Sequence, residues 1–397
     1  MKFPILVTLA CAAVAGHSGE VPTIRPNLPL LFPDDSQISA RTNVVRVFHP
    51  ARKDYRPALQ PEYPWENGIC GVYGAANRLA DGLYRVWYFV GWDKVAIADS
   101  ADGGRTWKRT PIPDNAVEAN SSVVFTGLHC PAVLLDRFER DPARRYKAIG
   151  AKIFCTEEWG VPDRERSGYF SMTSPDGIHW TEARRILKGW DTASLAQNQE
   201  TGEFFLYHKV MTPLPGRDEE RRFVFVARSV DFERWSEPVV ALAPDEADDG
   251  QWIDNPDQRT DFYNMAVFSH AGGFIGFPTI FRITARQPLG KDLKYGADSK
   301  FVLDDGPIDV QLATSADGVT FSRTPGRRTM IAAGAEGEED CNIPGVASGE
   351  PITVGDETSL LYYGINRWHA KVVNAVQPVH YRTYRHFRHE CGLLFAA

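Results

Sequence analysis

The chain has 397 residues, 43% hydrophobic and 24% charged, with a formal net charge of −7. Phosphate backbones are gripped by clustered Lys and Arg, so this balance excludes a nucleic-acid surface. An aromatic content of 12%, with 27 prolines and 33 glycines, suits many short strands joined by turns and leaves little room for helix.

In chain order, Met1 and Lys2 precede an apolar run over residues 3–15 that ends in Ala13-Val14-Ala15. This is the layout of a secretory signal peptide, and it places the mature protein in the periplasm or outside the cell. Cys11 raises a lipoprotein alternative, but Leu9 stands one position from where that signal wants it. No later run approaches the ~20 apolar residues that span a bilayer. Cys70, Cys130, Cys155, Cys341 and Cys391 are an odd number spread too widely for a disulfide framework, with room for one or two bridges. None has the CxxC spacing of a structural zinc site, so no metal centre is expected.

From residue 95 onward a single pattern recurs four times: a short apolar strand, a serine, an aspartate two residues later, then an aromatic ring. The copies are Ser100/Asp102/Trp107, Ser174/Asp176/Trp180, Ser229/Asp231/Trp235 and Ser315/Asp317/Phe321. A repeated supersecondary unit of this length points to a β-propeller. Serine and aspartate side chains accept backbone N–H bonds in tight turns, and the ring packs between strands, so these aspartates are read as structural. Upstream of each copy lies a pair of strands with a turn between them, at Asp81-Gly82, Asp141-Pro142, Thr201-Gly202 and Gly272-Gly273. A fifth pair, 351–354 and 359–365, turns at Gly355-Asp356 and has no aspartate copy after it. The run 43–48, rich in valine, is the expected partner that closes this last blade. The expectation is an all-β, five-bladed β-propeller of four-stranded antiparallel blades over 41–397, after a signal peptide (1–15) and an N-terminal extension (16–40).

The first copy, 100–107, matches the Asp-box of sialidase-like propellers, whereas the other three are one residue shorter between aspartate and ring. The shorter form resembles that of the five-bladed propellers of glycoside hydrolase families 43, 32 and 117. The order of further segments, from Leu31-Phe32 and Asp34-Asp35 through Val47-Phe48-His49-Pro50, Pro64-Trp65-Glu66, residues 84–88 and Arg145-Tyr146-Lys147, is similar to that of a group of secreted bacterial proteins related to family 32 glycosidases. The resemblance covers about 31–369. It implies a carbohydrate substrate and hydrolysis of a glycosidic bond in the central pocket. Members of such groups often carry a β-sandwich after the propeller, which is expected to be absent or truncated here.

In a propeller the first strand of each blade lines the central channel, so ligand-facing groups are expected where those strands begin. This nominates Glu66 and Asn67 on blade one, His129 on blade two, Asp191 on blade three, Asp261 and Asn264 on blade four, and Glu350 on blade five. Asn366, Arg367 and His369 follow the second strand of blade five, and Trp65, Trp92 and Trp190 are candidate sugar-stacking walls. Glycoside hydrolysis needs one carboxylic acid to protonate the leaving oxygen and one carboxylate to attack or to activate water. Glu66, Asp191 and Glu350 are the leading carboxylates, with Asp261 in reserve, and Asp191→Asn is expected to remove turnover with little loss of stability. Families 43 and 32 carry Asp, Asp and Glu on blades one to three. His129 stands here where the second acid would be, and family 117, with its proposed histidine acid, keeps His129 or His369 in play as donor. Each candidate also has an ordinary structural reading: a turn cap for Glu66 and Asp191, a rim residue for Glu350, an interior histidine for His129. Two other functions stay open: a non-catalytic glycan-binding propeller, and a sialidase-like enzyme drawing on Arg41, Arg46, Arg282 and Arg367. No cofactor is expected. The acidic residues Asp245, Glu246, Asp248 and Asp249 read as a solvated loop that would also suit calcium, and His380, His386 and His389 as a solvated strand face.

Overall fold

Runs such as Tyr84–Val90 and Phe204–Pro213 are almost continuously apolar, which is what a strand buried on both faces requires. The computed structural model describes residues 38–389 except 75, 92, 155–162, 164, 215–219, 250–257, 289–301 and 370–380. Its strands form five antiparallel blades, each ordered from the central channel outward. Blade one runs Ala76–Arg78, Tyr84–Val90, Lys94–Ser100, Val123–Thr126, and blade two His129–Leu135, Tyr146–Lys152, Gly168–Ser174, Arg184–Lys188. Blade three runs Ala193–Gln197, Phe204–Pro213, Glu220–Ser229, Val239–Leu242. In blade four Arg259–His270 and Gly273–Ile283 are followed by broken outer strands, Ile308–Gln311 with Ala313–Ser315 and Ser322–Arg323 with Thr329–Ile331. A separate hairpin, Ala285–Pro288 with Val302–Asp305, extends from it.

Blade five begins with Asn342–Val346 and Ile352–Val354, continues through Glu357–Ile365 and Tyr381–His389, and is completed by Arg52–Leu59. The ring is therefore closed by a strand from the start of the chain, but not by 43–48. Those residues form no strand, and Val44, Val45 and Val47 are exposed. The strand Arg52–Leu59 looks unpromising in sequence because of its charges and Pro57. Both fit an outermost strand, where one face meets solvent and a missing N–H costs no ladder bond. The pairing with Tyr381–His389 slips on either side of Pro57.

Most of the core lies in five seams between blades, one cluster of buried side chains per seam, with a sixth, smaller cluster of Phe281, Ile283 and Ile308 within blade four. Trp87, Phe125 and Tyr146 fill the seam between blades one and two, Tyr169, Leu206 and Phe232 that between two and three, and Tyr207, Phe262 and Phe274 that between three and four. Phe277, Ile343 and Tyr362 join blades four and five, and Tyr73, Phe89 and Tyr363 join five and one.

All four Ser-x-Asp turns do the structural work expected of them. In each, the aspartate Oδ1 accepts two backbone N–H bonds, for example from Glu233 (2.9 Å) and Arg234 (2.8 Å) to Asp231. The serine Oγ accepts a third, from Gly104, Gly177, Phe232 or Gly318. The turns also tie seams together: Trp87 Nε1 donates to the Gly177 carbonyl (2.8 Å) and Tyr207 Oη to that of Gly318 (2.7 Å). Gly177 has φ +75, and a Cβ there would stand 2.4 Å from the Trp87 ring, so only glycine fits.

The acidic cluster is a correction. Glu246–Asp249 form a one-turn helix in which Asp248 and Asp249 are paired with arginines instead of solvated, Asp248 with Arg323 (2.5 Å) and Asp249 with Arg221 (2.5 Å), while Glu246 and Asp245, the latter bonded to Arg327, are exposed as expected. Cys70, Cys130 and Cys341 are buried thiols. Cys155, Cys391, His380, the signal-like start and the side chains of His386 and His389 lie outside the described residues. No described helix is long and apolar enough to cross a membrane.

Two outcomes test this packing. Asp231→Ala removes two backbone hydrogen bonds and should cost about 1–2 kcal/mol in urea unfolding, with no change at the channel; an unchanged midpoint would contradict it. His208, 3% exposed in the seam of blades two and three, packs against Tyr169 and Phe225, and neither ring nitrogen has a well-formed hydrogen bond. Burial lowers its pKa to about 4, against weak opposition from a backbone contact at Lys209. The unfolded chain, with an ordinary imidazole near 6.5, then takes up a proton before the folded one does. Stability from this group is complete above pH ~6.5 and falls by about 3 kcal/mol as pH drops toward 4. His208→Phe should flatten unfolding free energy across that window, and an unaltered slope would refute the assignment.

Candidate functional site

At the mouth where the inner strands begin, residues from blades two to five converge. His129 opens the inner strand of blade two, and Asp191 stands two residues before that of blade three, which begins at Ala193. His129 Nε2 stands 3.9 Å from Asp191 Oδ1, both side chains about one-fifth exposed. The other carboxylate oxygen of Asp191 is bound by Lys209 Nζ, which projects from the second strand of blade three. The Lys209 ammonium lies 4.6 Å from the centre of the Tyr263 ring. Burial alone would raise the Asp191 pKa. The charges of Lys209 and then of His129 outweigh it and hold the carboxyl near 2, so Asp191 is an anion at any physiological pH. Lys209 is pushed down by its own burial, with Asp191 opposing.

Asp191 has φ +78 and Cys130, next to His129, has φ +45. Left-handed backbone is costly for residues with a Cβ, and it tends to persist where function selects it. Inner strands three and four are stitched together beside the cluster: Thr192 Oγ1 donates to the Tyr263 carbonyl (3.1 Å) and Ser194 Oγ to that of Met265.

A second charged layer adjoins the first. Asp261, fully buried, pairs with Arg222 (2.6 Å) and Arg259 (3.3 Å), and both arginines reach Asp304 at 2.9 Å. Asp304 belongs to the extra hairpin, so the quartet pins that hairpin to the mouth. His369 Nδ1 lies 3.0 Å from the Asp304 carbonyl, and its ring packs on Tyr263 and Phe281. With Nδ1–H donating to that carbonyl, Nε2 is the acceptor nitrogen. Burial, then the charge of Arg222, lowers the His369 pKa to about 4, so its imidazole is neutral at pH 7.

The other nominated residues divide by position. Glu66 ends the short 3-10 helix Pro64–Glu66 and is fully buried. Its carboxylate accepts from Glu62 N (2.6 Å), Tyr63 N (2.9 Å), Tyr88 Oη (2.8 Å) and Arg109 Nε (3.1 Å), which occupies it as a clasp. Asn67 caps this turn in a left-handed conformation and is exposed, and Trp65 stacks on Tyr63 at 5.4 Å. Asn264 sits in a bulge, its backbone N–H and carbonyl both bound by Thr279 Oγ1, its side-chain amide nitrogen buried without a hydrogen bond. Asn366 is buried and its carbonyl accepts from Arg367 Nη1 (3.0 Å). Arg282 pairs with Asp309 (2.7 Å), and Trp92 is outside the described residues.

Glu350 lies at the opposite mouth. The inner edge of blade five starts at Asn342, so Glu350 falls between its two segments, Asn342–Val346 and Ile352–Val354, bonded to Arg137 (3.1 Å) and Gln199 (2.8 Å). It lines a cavity of about 630 Å³ with Arg78, Gln197, Phe268 and Ser269. Tyr263 and Ser269 lie on one extended strand, so the two mouths are separated by ~20 Å. Of the proposed catalytic residues, the fold thus brings together His129 and Asp191, and it separates Glu350 from them. Lys209, Arg222, Arg259, Tyr263 and Asp304 were missed in sequence. The available signal was a charge inside an apolar strand, as with Lys209 in Phe204–Pro213.

No family model matches the sequence, and no curated protein matches it. Solved structures do match in fold. An N-acetylgalactosamine deacetylase from F. plautii, in complex with blood group B trisaccharide, is 14% identical with a TM-score of 0.52, over 86% of this chain and 94% of that one. BT0996, solved as a complex with part of RGII, is 14% identical with a TM-score of 0.51, over 86% and 93%. A protein described as a glycoside hydrolase is 12% identical with a TM-score of 0.50, over 88% and 95%. At these identities the likeness establishes the fold, and the chain has the fold of propellers that include a glycoside hydrolase.

Proposed function

We propose that this protein is a secreted, carbohydrate-active propeller, a hydrolase that holds a sugar at the mouth where the inner strands begin, with Asp191 at the centre of the reaction. The observation that carries the proposal is Asp191 itself: a strained residue at the head of an inner strand, ionised and partly exposed to the channel, oriented by a buried lysine. Three further points support it. The fold is shared with proteins solved in complex with a trisaccharide and with RGII. Tyr263 and His369, both partly exposed and packed on each other, offer ring surfaces beside the charge, as stacking against a sugar face requires. The apolar run after Lys2 supports export.

A glycosidase of the usual kind needs a second carboxyl group about 5–9.5 Å from the first. Among the described residues Glu66 is occupied, Asp261 is locked between two arginines, and Glu350 is at the other mouth. This favours, as a second reading, a propeller that binds a glycan without cleaving it.

The test is a screen of the mature protein against plant, algal and bacterial polysaccharides and aryl glycosides, reading both binding and released product. The proposal expects release that Asp191→Asn abolishes. Because that change leaves Lys209 buried without its counter-ion, it should also cost about 3 kcal/mol of stability, more than the sequence suggested. Asp191→Asn/Lys209→Met should recover the stability and stay inactive. Undiminished release by Asp191→Asn would overturn the role of Asp191, and binding without release by the unmodified protein would establish the second reading.

A further inference from the structure

We propose that His129, Cys130 and Asp191 form the seat of a single divalent ion of the zinc class, at the same mouth of the channel. The donor atoms of these three side chains all lie within 4.8 Å of one another, and His129 Nε2 and Asp191 Oδ1 are 3.9 Å apart. Ligand atoms around a tetrahedral zinc stand about 3.5 Å apart, so a contraction of at most about 1.3 Å would bring this set to bonding geometry.

The backbone explains how adjacent residues come to share a point. Neighbours in a regular strand face opposite ways, and His129 and Cys130 would diverge. The pairing of this strand with Tyr146–Lys152 shifts register between His129 and Ala132, and Cys130 takes φ +45 within that irregularity. The third member, Asp191, is held at φ +78. Two of the three candidate ligands therefore sit on backbone that costs energy to maintain, and the strain converges on one spot.

The surroundings suit ligation. Lys209 binds Oδ2 of Asp191, while Oδ1 is the oxygen that faces His129; a partner on the far oxygen that fixes a ligand's orientation is a regular feature of metal sites. Phe89 packs edge-on to the His129 ring at 6.0 Å. Cys130 is buried, whereas His129 and Asp191 are partly exposed, so an ion would enter from the channel side. One imidazole, one thiolate and one carboxylate select against calcium and magnesium, and three protein ligands with an open fourth position are the arrangement of catalytic zinc. An ion held there would have a fourth position in which it could activate a water as nucleophile or polarise a sugar oxygen, in place of a second carboxyl group that the described residues do not bring to Asp191. The inference rests on the proposed function only for the location of the chemistry, since ion binding is read without sugar.

The experiment uses untagged mature protein, stripped with chelator and titrated with Co²⁺. The expected result is one equivalent bound, with a thiolate-to-cobalt charge-transfer band in the near ultraviolet that Zn²⁺ abolishes. Cys130→Ser should lose the band and bind roughly tenfold more weakly or worse, with circular dichroism confirming its fold. His129→Gln, at a partly exposed position, provides a second variant and should lose affinity while remaining folded. Absence of the band at equimolar Co²⁺, or its persistence in Cys130→Ser, would overturn the proposal. A metal-loaded protein that hydrolyses and binds no glycan would overturn the carbohydrate reading and leave the ion site standing.

Discussion

Closure of the ring by Arg52–Leu59 is the constraint on which the remaining structure depends. A four-stranded sheet leaves two edges whose N–H and C=O groups invite further pairing, and a propeller hides its inner edges around the channel and its faces in the seams. Among the described residues the outer strand of blade five comes from the start of the chain, more than 300 residues before Tyr381–His389. Once that strand pairs with Tyr381–His389, all five seams are fixed at once, because each is filled by side chains from two neighbouring blades. The width of the channel follows, and with it the approach of His129, Asp191 and Tyr263 at one mouth.

The buried charges there are not explained by stability. Taking Lys209 and Asp191, or the quartet of Arg222, Arg259, Asp261 and Asp304, out of water costs several kcal/mol per ion, which pairing only roughly returns. The seams show that this chain builds apolar contacts readily, with Trp87, Tyr207 and Phe262 nearly or wholly excluded from solvent. Polar clusters at the mouth, two strained residues among them, therefore mark a place shaped for something other than packing.

Local chemistry made the fold readable in sequence. The Ser-x-Asp turns, the glycine turns and the apolar runs each act within about ten residues, and they placed the blades and their order. Register over longer distances was not readable. Residues 43–48 look more like a strand than Arg52–Leu59, because sequence does not tell an outermost strand bathed in solvent from a polar loop. The same blindness put Glu350 at the start of an inner strand when that strand begins at Asn342. The site suffered most, since its members come from four blades: Cys130 and Asp191 are 61 residues apart, and Lys209 and Asp304 belong to strands where their charge looked incidental. Glu66 shows the converse, a carboxylate in the expected place whose four hydrogen-bond donors became visible only with the fold.

The proposed function places the chemistry at the mouth built around Asp191 and not at the one built around Glu350. A crystal structure with an oligosaccharide bound to the mature protein addresses it most directly. The expected result is a sugar ring against Asp191, His129 and the Tyr263–His369 pair. A sugar seated in the cavity beside Glu350 and Arg137, with the Asp191 mouth empty, would contradict the claim.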